Sequence, residues 1–124
     1  MIWVVSDNQA TRDALVPLIA ALSYEVAGIE CGDEVIKRSR FQTASLIIVD
    51  CGLPDSFELI AKIRSDPRSA STPIVMFSID SQNRKEQALL RGADAYVPKG
   101  SLDWAELLEE VRRFAGPPTN SNEA

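Results

Sequence analysis

Ser6-Asp7, Asp50, Ser78 and Lys99 are the residues of this 124-residue chain whose types could do chemistry together. Each follows a short apolar run, so four separate segments deliver carboxylates, hydroxyls and an ammonium. Phosphorylation of a carboxylate needs such a set. An aspartate oxygen attacks phosphorus, a hard cation held by oxygen ligands neutralises phosphoryl oxygens, and Lys with a hydroxyl donor binds the others. The chain has no histidine. A Ser-His-Asp triad, a His-liganded metal and a phosphohistidine within this chain are thereby excluded. Cys31 and Cys51 lack metal-site spacing and read as free buried thiols.

Five apolar runs, Ile2–Val5, Glu25–Ile29, Leu46–Val49, Ile74–Phe77 and Ala95–Val97, read as strands. The Leu46–Val49 run is apolar at every position, as in a parallel strand covered on both faces. Helical patterns alternate with the strands. The first carries Leu15, Leu18, Ile19 and Leu22 on one stripe, with Pro17 expected to kink it or delay its start. The second lies around Asp33–Phe41. The third opens on Asp55-Ser56-Phe57-Glu58, a capping-box variant, and buries Leu59, Ile60 and Ile63. The fourth starts near Ser81 and stops at Gly92, suited to a left-handed terminus. In the last, Trp104, Leu107, Leu108 and Val111 form an i, i+3, i+4, i+7 stripe that ends at Gly116-Pro117-Pro118. Strict β/α alternation implies right-handed crossovers and a doubly wound parallel sheet with helices on both faces. In such sheets ligands bind beyond the carboxyl ends of the strands, where the candidate residues fall.

Composition narrows the function classes. Apolar residues make up 45% and charged residues 25%, which suits one globular domain over 1–115 followed by a flexible tail over 116–124. The net charge of −5, with no basic cluster, argues against nucleic acid or an anionic membrane as a direct partner. No apolar run approaches a bilayer span and no signal peptide is evident, so a cytoplasmic location is expected. The turn Ser6-Asp7-Asn8-Gln9 has none of the glycines of a nucleotide-binding loop.

Four stretches, in order, make the chain resemble the receiver domain of two-component response regulators from Met1 to about Phe114. They are Ile2-Trp3-Val4-Val5-Ser6-Asp7-Asn8, Leu46 through Pro54, Thr72 through Ser78, and Gly92 through Lys99. The resemblance implies a flavodoxin-like (βα)5 sandwich with strand order 2-1-3-4-5. It implies that Asp50 is the phosphoacceptor and that Asp7, Asp50 and the Gly52 carbonyl hold a divalent cation, normally Mg²⁺. It further implies that Ser78 and Lys99 contact the phosphoryl group and that Tyr96 is an aromatic switch. The implied protein is a phosphoacceptor rather than an enzyme, at most catalysing its own phosphotransfer and dephosphorylation. A histidine kinase or phosphotransfer protein would supply phosphate. A downstream protein, or a second copy in a homodimer, would read the surface of the fourth helix, fifth strand and fifth helix.

Three positions depart from the family pattern. Ser6 stands where a second acid is usual, which predicts weaker Mg²⁺ binding; as a residue it reads as a capping hydroxyl without a ligand role. The loop after Pro54 is short and lacks glycine. Gly100 follows Lys99 where a cis proline is usual, so a trans or rearranged peptide is expected. The alternative function is a degenerate receiver that binds protein partners independently of phosphorylation.

Overall fold

The computed structural model describes residues 1–78, 84–98 and 104–118. Strands and helices alternate along the chain. They are β1 (Ile2–Val5), α1 (Gln9–Ala21), β2 (Val26–Ile29), α2 (Gly32–Ser39), β3 (Leu46–Asp50), α3 (Ser56–Ser65), β4 (Ile74–Phe77), α4 (Lys85–Arg91), β5 (Ala95–Val97) and α5 (Ala105–Ala115). All strand pairings are parallel, in the order β2-β1-β3-β4-β5. The flavodoxin-like fold expected from the sequence is the one observed.

The near-continuous apolar character of β1, β3 and β4 follows from helices on both faces of the sheet. Successive side chains point to opposite faces. Trp3, Val5, Ile47, Val49, Ile74 and Met76 pack into one core with Val35 of α2, Leu59, Ile60 and Ile63 of α3 and Ala88 of α4. Ile2, Val4, Leu46, Ile48, Val75 and Phe77 enter the other, with Leu15 and Ile19 of α1 and Leu107 and Val111 of α5. Trp3 lies wholly inside the first core, where its indole N–H has no hydrogen-bond acceptor among the described residues.

Several local expectations are corrected. In α1 the buried stripe is Thr11, Leu15 and Ile19, whereas Leu18 is exposed and Leu22 is the half-buried C-cap. The helix starts at Gln9 and runs through Pro17, so its start is not delayed. Asn8 caps it by accepting from Thr11 N at 3.2 Å. Asp55 does occupy the α3 N-cap position, but its side chain makes no cap bond. The Ser56 hydroxyl instead donates to the Cys51 carbonyl at 3.1 Å, tying the helix start back to the end of β3. Both cysteines are free, but only Cys51 is buried; Cys31 is exposed at the N-terminus of α2. Trp104 takes the α5 N-cap position in a left-handed conformation and packs edge-on against Phe77 with ring centroids 5.6 Å apart. The expected start of α4 near Ser81, the peptide at Gly100 and the tail from residue 119 lie outside the described residues.

Gly92 ends α4 in the left-handed region, at φ 116°. A Cβ there would stand 2.9 Å from Arg64 Cγ. Both the positive φ and this approach demand glycine. Gly92→Ala is expected to lower stability by about 2 kcal/mol, mostly from backbone strain. Urea denaturation with an unchanged m-value would show it, and an unchanged midpoint would contradict the assignment.

Candidate functional site

The strand order reverses between β1 and β3, the point at which such sheets bind ligands beyond the carboxyl ends of their strands. Val5 stands opposite Val49 in the sheet, so the next residue on each strand, Ser6 and Asp50, also face one another. Both are buried, Ser6 to 0% exposure and Asp50 to 2%. An apolar parallel strand that ends in a carboxylate can hold it there only if the charge finds donors.

Two donors are in place, one for each carboxylate oxygen. The Ser6 hydroxyl donates to Asp50 Oδ2 at 2.7 Å. The backbone N–H of Gly52 donates to Oδ1 at 2.8 Å. Glycine allows that approach, because a Cβ at position 52 would lie 3.1 Å from the same oxygen. The Ser6 oxygen in turn accepts from Asn8 N at 3.1 Å, which leaves its single proton directed to Asp50. Ser6 thus links the α1 cap to the Asp50 carboxylate. The helix cap itself is Asn8, contrary to the capping role expected for Ser6.

The remaining predicted residues are distributed around this pair. Asp7 is exposed, one position beyond Ser6. Ser78 is buried at the end of β4, and its backbone N–H donates to the Val97 carbonyl at 3.0 Å. The adjoining Phe77 pairs with Asp50 in the sheet, and Cys51 N donates to its carbonyl at 2.7 Å. Tyr96 is buried in the core shared with α3 and α4, and its hydroxyl accepts from Arg84 N at 3.2 Å. Lys99 lies outside the described residues.

Sequence reasoning passed over two arginines. Arg84, at the α4 N-terminus, donates from Nη1 to Cys51 Sγ at 3.2 Å, so a cation adjoins the residue that follows Asp50. Arg12 Nη1 donates to the Ser6 carbonyl at 2.6 Å. Arg12 sits six residues from Ser6 on the first turns of α1, a spacing that could have flagged it. Nothing in the local sequence connects Arg84 to Cys51, 33 residues away.

Among the described residues no three Asp, Glu, Cys or His side chains cluster as metal ligands. The donor set is nevertheless of the right kind for a small hard cation. Asp50 and Asp7 could supply carboxylates and Gly52 a backbone carbonyl, and each Asp50 oxygen keeps a lone pair beyond its one hydrogen bond. Mg²⁺ needs only one or two carboxylates when water and substrate oxygens complete its shell.

Comparison with known proteins agrees with this fold. The family described as the response regulator receiver domain matches residues 2–112, and the chain belongs to that family. The gliding motility regulatory protein of Myxococcus xanthus is 30% identical over 116 residues, which cover 91% of this chain and 15% of that protein. The transcriptional regulatory protein CreB of Escherichia coli is 31% identical over 94% of this chain and 54% of its own length. The chain therefore spans about half, or less, of these curated relatives. The receiver domain of sensor histidine kinase PA1611 from Pseudomonas aeruginosa superimposes with a TM-score of 0.81 at 25% identity, covering 93% of this chain and 96% of that one. That structure carries a magnesium ion in its active-site cleft. Receiver domains are phosphoacceptor switches that take phosphoryl groups from histidine kinases or phosphotransfer proteins. Among the described residues, no helix is long and apolar enough to cross a membrane.

Proposed function

We propose that the chain is a phosphorylation-dependent signalling switch with Asp50 as its acceptor. The observation that supports it best is a carboxylate at the carboxyl end of the central strand, kept oriented in a buried site by Ser6 and Gly52. One Asp50 oxygen forms a bond to the phosphorus of a phosphohistidine on a kinase or phosphotransfer protein. The P–N bond breaks, its electron pair leaves with the imidazole, and the acyl phosphate remains on Asp50. Gly52 N–H continues to hold the carboxyl group, and Ser78 and Lys99 donate to the phosphoryl oxygens. Mg²⁺, when bound through Asp7, Asp50 and the Gly52 carbonyl, supplies charge neutralisation. Ser6 in place of a second acid makes that binding weak.

The state of Asp50 then passes through Ser78 and Tyr96 to the face formed by α4, β5 and α5. Two conformations differ in population there, and a protein partner or a second copy reads the difference. The protein turns over no external substrate and works in the cytoplasm. Residues 1–115 form the receiver unit.

A second reading has a specific observation behind it. Because Ser6 and Gly52 already satisfy the Asp50 carboxylate, the resting site needs no cation, as suits a receiver that binds partners independently of phosphorylation. Incubation with Mg²⁺ and a small-molecule phosphodonor separates the two. The switch predicts one added phosphate by intact-protein mass spectrometry. No adduct, together with no Mg²⁺-dependent change in tryptophan fluorescence, would leave the second reading standing.

A further inference from the structure

The Ser6 hydroxyl does more at this site than leave a charge out. It is fully buried, its oxygen already accepts from Asn8 N, and it donates its proton to Asp50 Oδ2 at 2.7 Å. A hydrogen bond to an ionised carboxylate is among the stronger ones in a protein. It stabilises the cation-free carboxylate and draws charge away from one of the oxygens a cation would use. We propose that Ser6 is a positioning residue that competes with a divalent cation for Asp50 and so sets the cation affinity of the site.

This rests on the Asp50 and Asp7 cation site of the proposed function, but it makes a separate and less intuitive claim. Were Ser6 only a missing acid, removing its hydroxyl would change nothing or would cost a weak ligand. As a competitor, its removal strengthens binding although no ligand has been added. Without the hydroxyl, Asp50 Oδ2 loses its donor in the cation-free protein, and an incoming cation no longer has to displace or share one.

Isothermal titration of the protein with Mg²⁺ alone tests this without any phosphoryl transfer. Ser6→Ala is expected to bind Mg²⁺ about tenfold more tightly than the natural chain. Ser6→Cys, close in volume but a weak donor, is expected to follow it. Ser6→Thr keeps the hydroxyl and should resemble the natural chain. Ser6→Asp should bind more tightly than any of these, and Asp50→Asn in the natural background should lose binding. Thermal melts in chelator establish that each variant folds.

Equal or weaker binding by Ser6→Ala and Ser6→Cys would overturn the proposal, as would absence of Mg²⁺ binding in every variant including Ser6→Asp. Loss of the fold in both hydroxyl-free variants would make Ser6 a structural group and overturn it equally. The outcome is independent of whether phosphate is accepted. Tighter binding without an acyl phosphate would keep the role of Ser6 and remove the switch, whereas an acyl phosphate with unchanged affinity would do the reverse.

Discussion

Replacing Asp50 by asparagine is expected to abolish phosphate incorporation from a small-molecule phosphodonor while leaving the fold intact. The amide has no anionic oxygen to attack phosphorus, so the loss should reach the detection limit of intact-protein mass spectrometry. The fold should survive because the hydrogen bonds can be rearranged. The amide oxygen of the Asp50→Asn side chain can still accept from Gly52 N, which donates to Asp50 Oδ1 in the natural chain. The amide nitrogen then faces Ser6, whose oxygen accepts from Asn8 N and has a second lone pair to offer. Ser6 need only turn its proton away, and stability should change by about 1 kcal/mol.

Asp50→Ala is the informative contrast. It leaves the buried Ser6 hydroxyl and the partly buried Gly52 N–H without their acceptor. About 2 kcal/mol of stability should be lost, together with the same reactivity. A phosphate adduct that persisted in Asp50→Asn would move the acceptor to another carboxylate, with exposed Asp7 the first to examine.

Arg64→Ala is expected to be among the most destabilising single changes in the chain, by about 3–4 kcal/mol. One guanidinium ties α3 to the segments before β4 and β5. Its Nε donates to the Gly92 carbonyl at 2.9 Å, and Nη1 to the carbonyls of Thr72 at 2.6 Å and Ala70 at 3.0 Å. Nη2 reaches Asp94 Oδ2 at 2.8 Å, and that same oxygen accepts from Ile74 N at the start of β4. The ion pair contributes little by itself, because the Asp94 side chain is 40% exposed and solvent screens it. Most of the loss comes from the carbonyls left without a donor, among them that of buried Thr72.

Arg64→Lys should recover less than half of the deficit. A single ammonium cannot reproduce the planar fork that serves all of these acceptors. Urea unfolding of both variants provides the measurement. A loss below about 1 kcal/mol in Arg64→Ala, the worth of a single ordinary hydrogen bond, would show that Arg64 is not such a tie.

The order of elements was legible along the chain because each carries its own local signal. Leu46–Val49 is apolar at every position since it is covered on both faces, and Gly92 is a glycine because the end of α4 has positive φ. That the candidate site residues share one edge was legible for a related reason. In a parallel sheet all strands end at the same edge, so Ser6 and Ser78, just after their strands, and Asp50, the last residue of its own, come to share it. Assignments on the helix surface were less legible. Leu18 belongs to an apolar stripe by spacing, yet it is exposed, because the width of the buried face depends on what packs against α1.

What only the tertiary structure decided is how these residues meet. Ser6 and Asp50 are 44 positions apart, and their hydrogen bond depends on the register of β1 against β3, with Val5 opposite Val49. Arg64 reaches Asp94 across 30 positions and Arg84 reaches Cys51 across 33, through packing of helices that neither local sequence specifies. In the sequence, Ser6 was an acid that had been lost. Placed against Asp50, it is a donor on the carboxylate, because its oxygen accepts from Asn8 N and its proton lies along the 2.7 Å bond to Asp50 Oδ2.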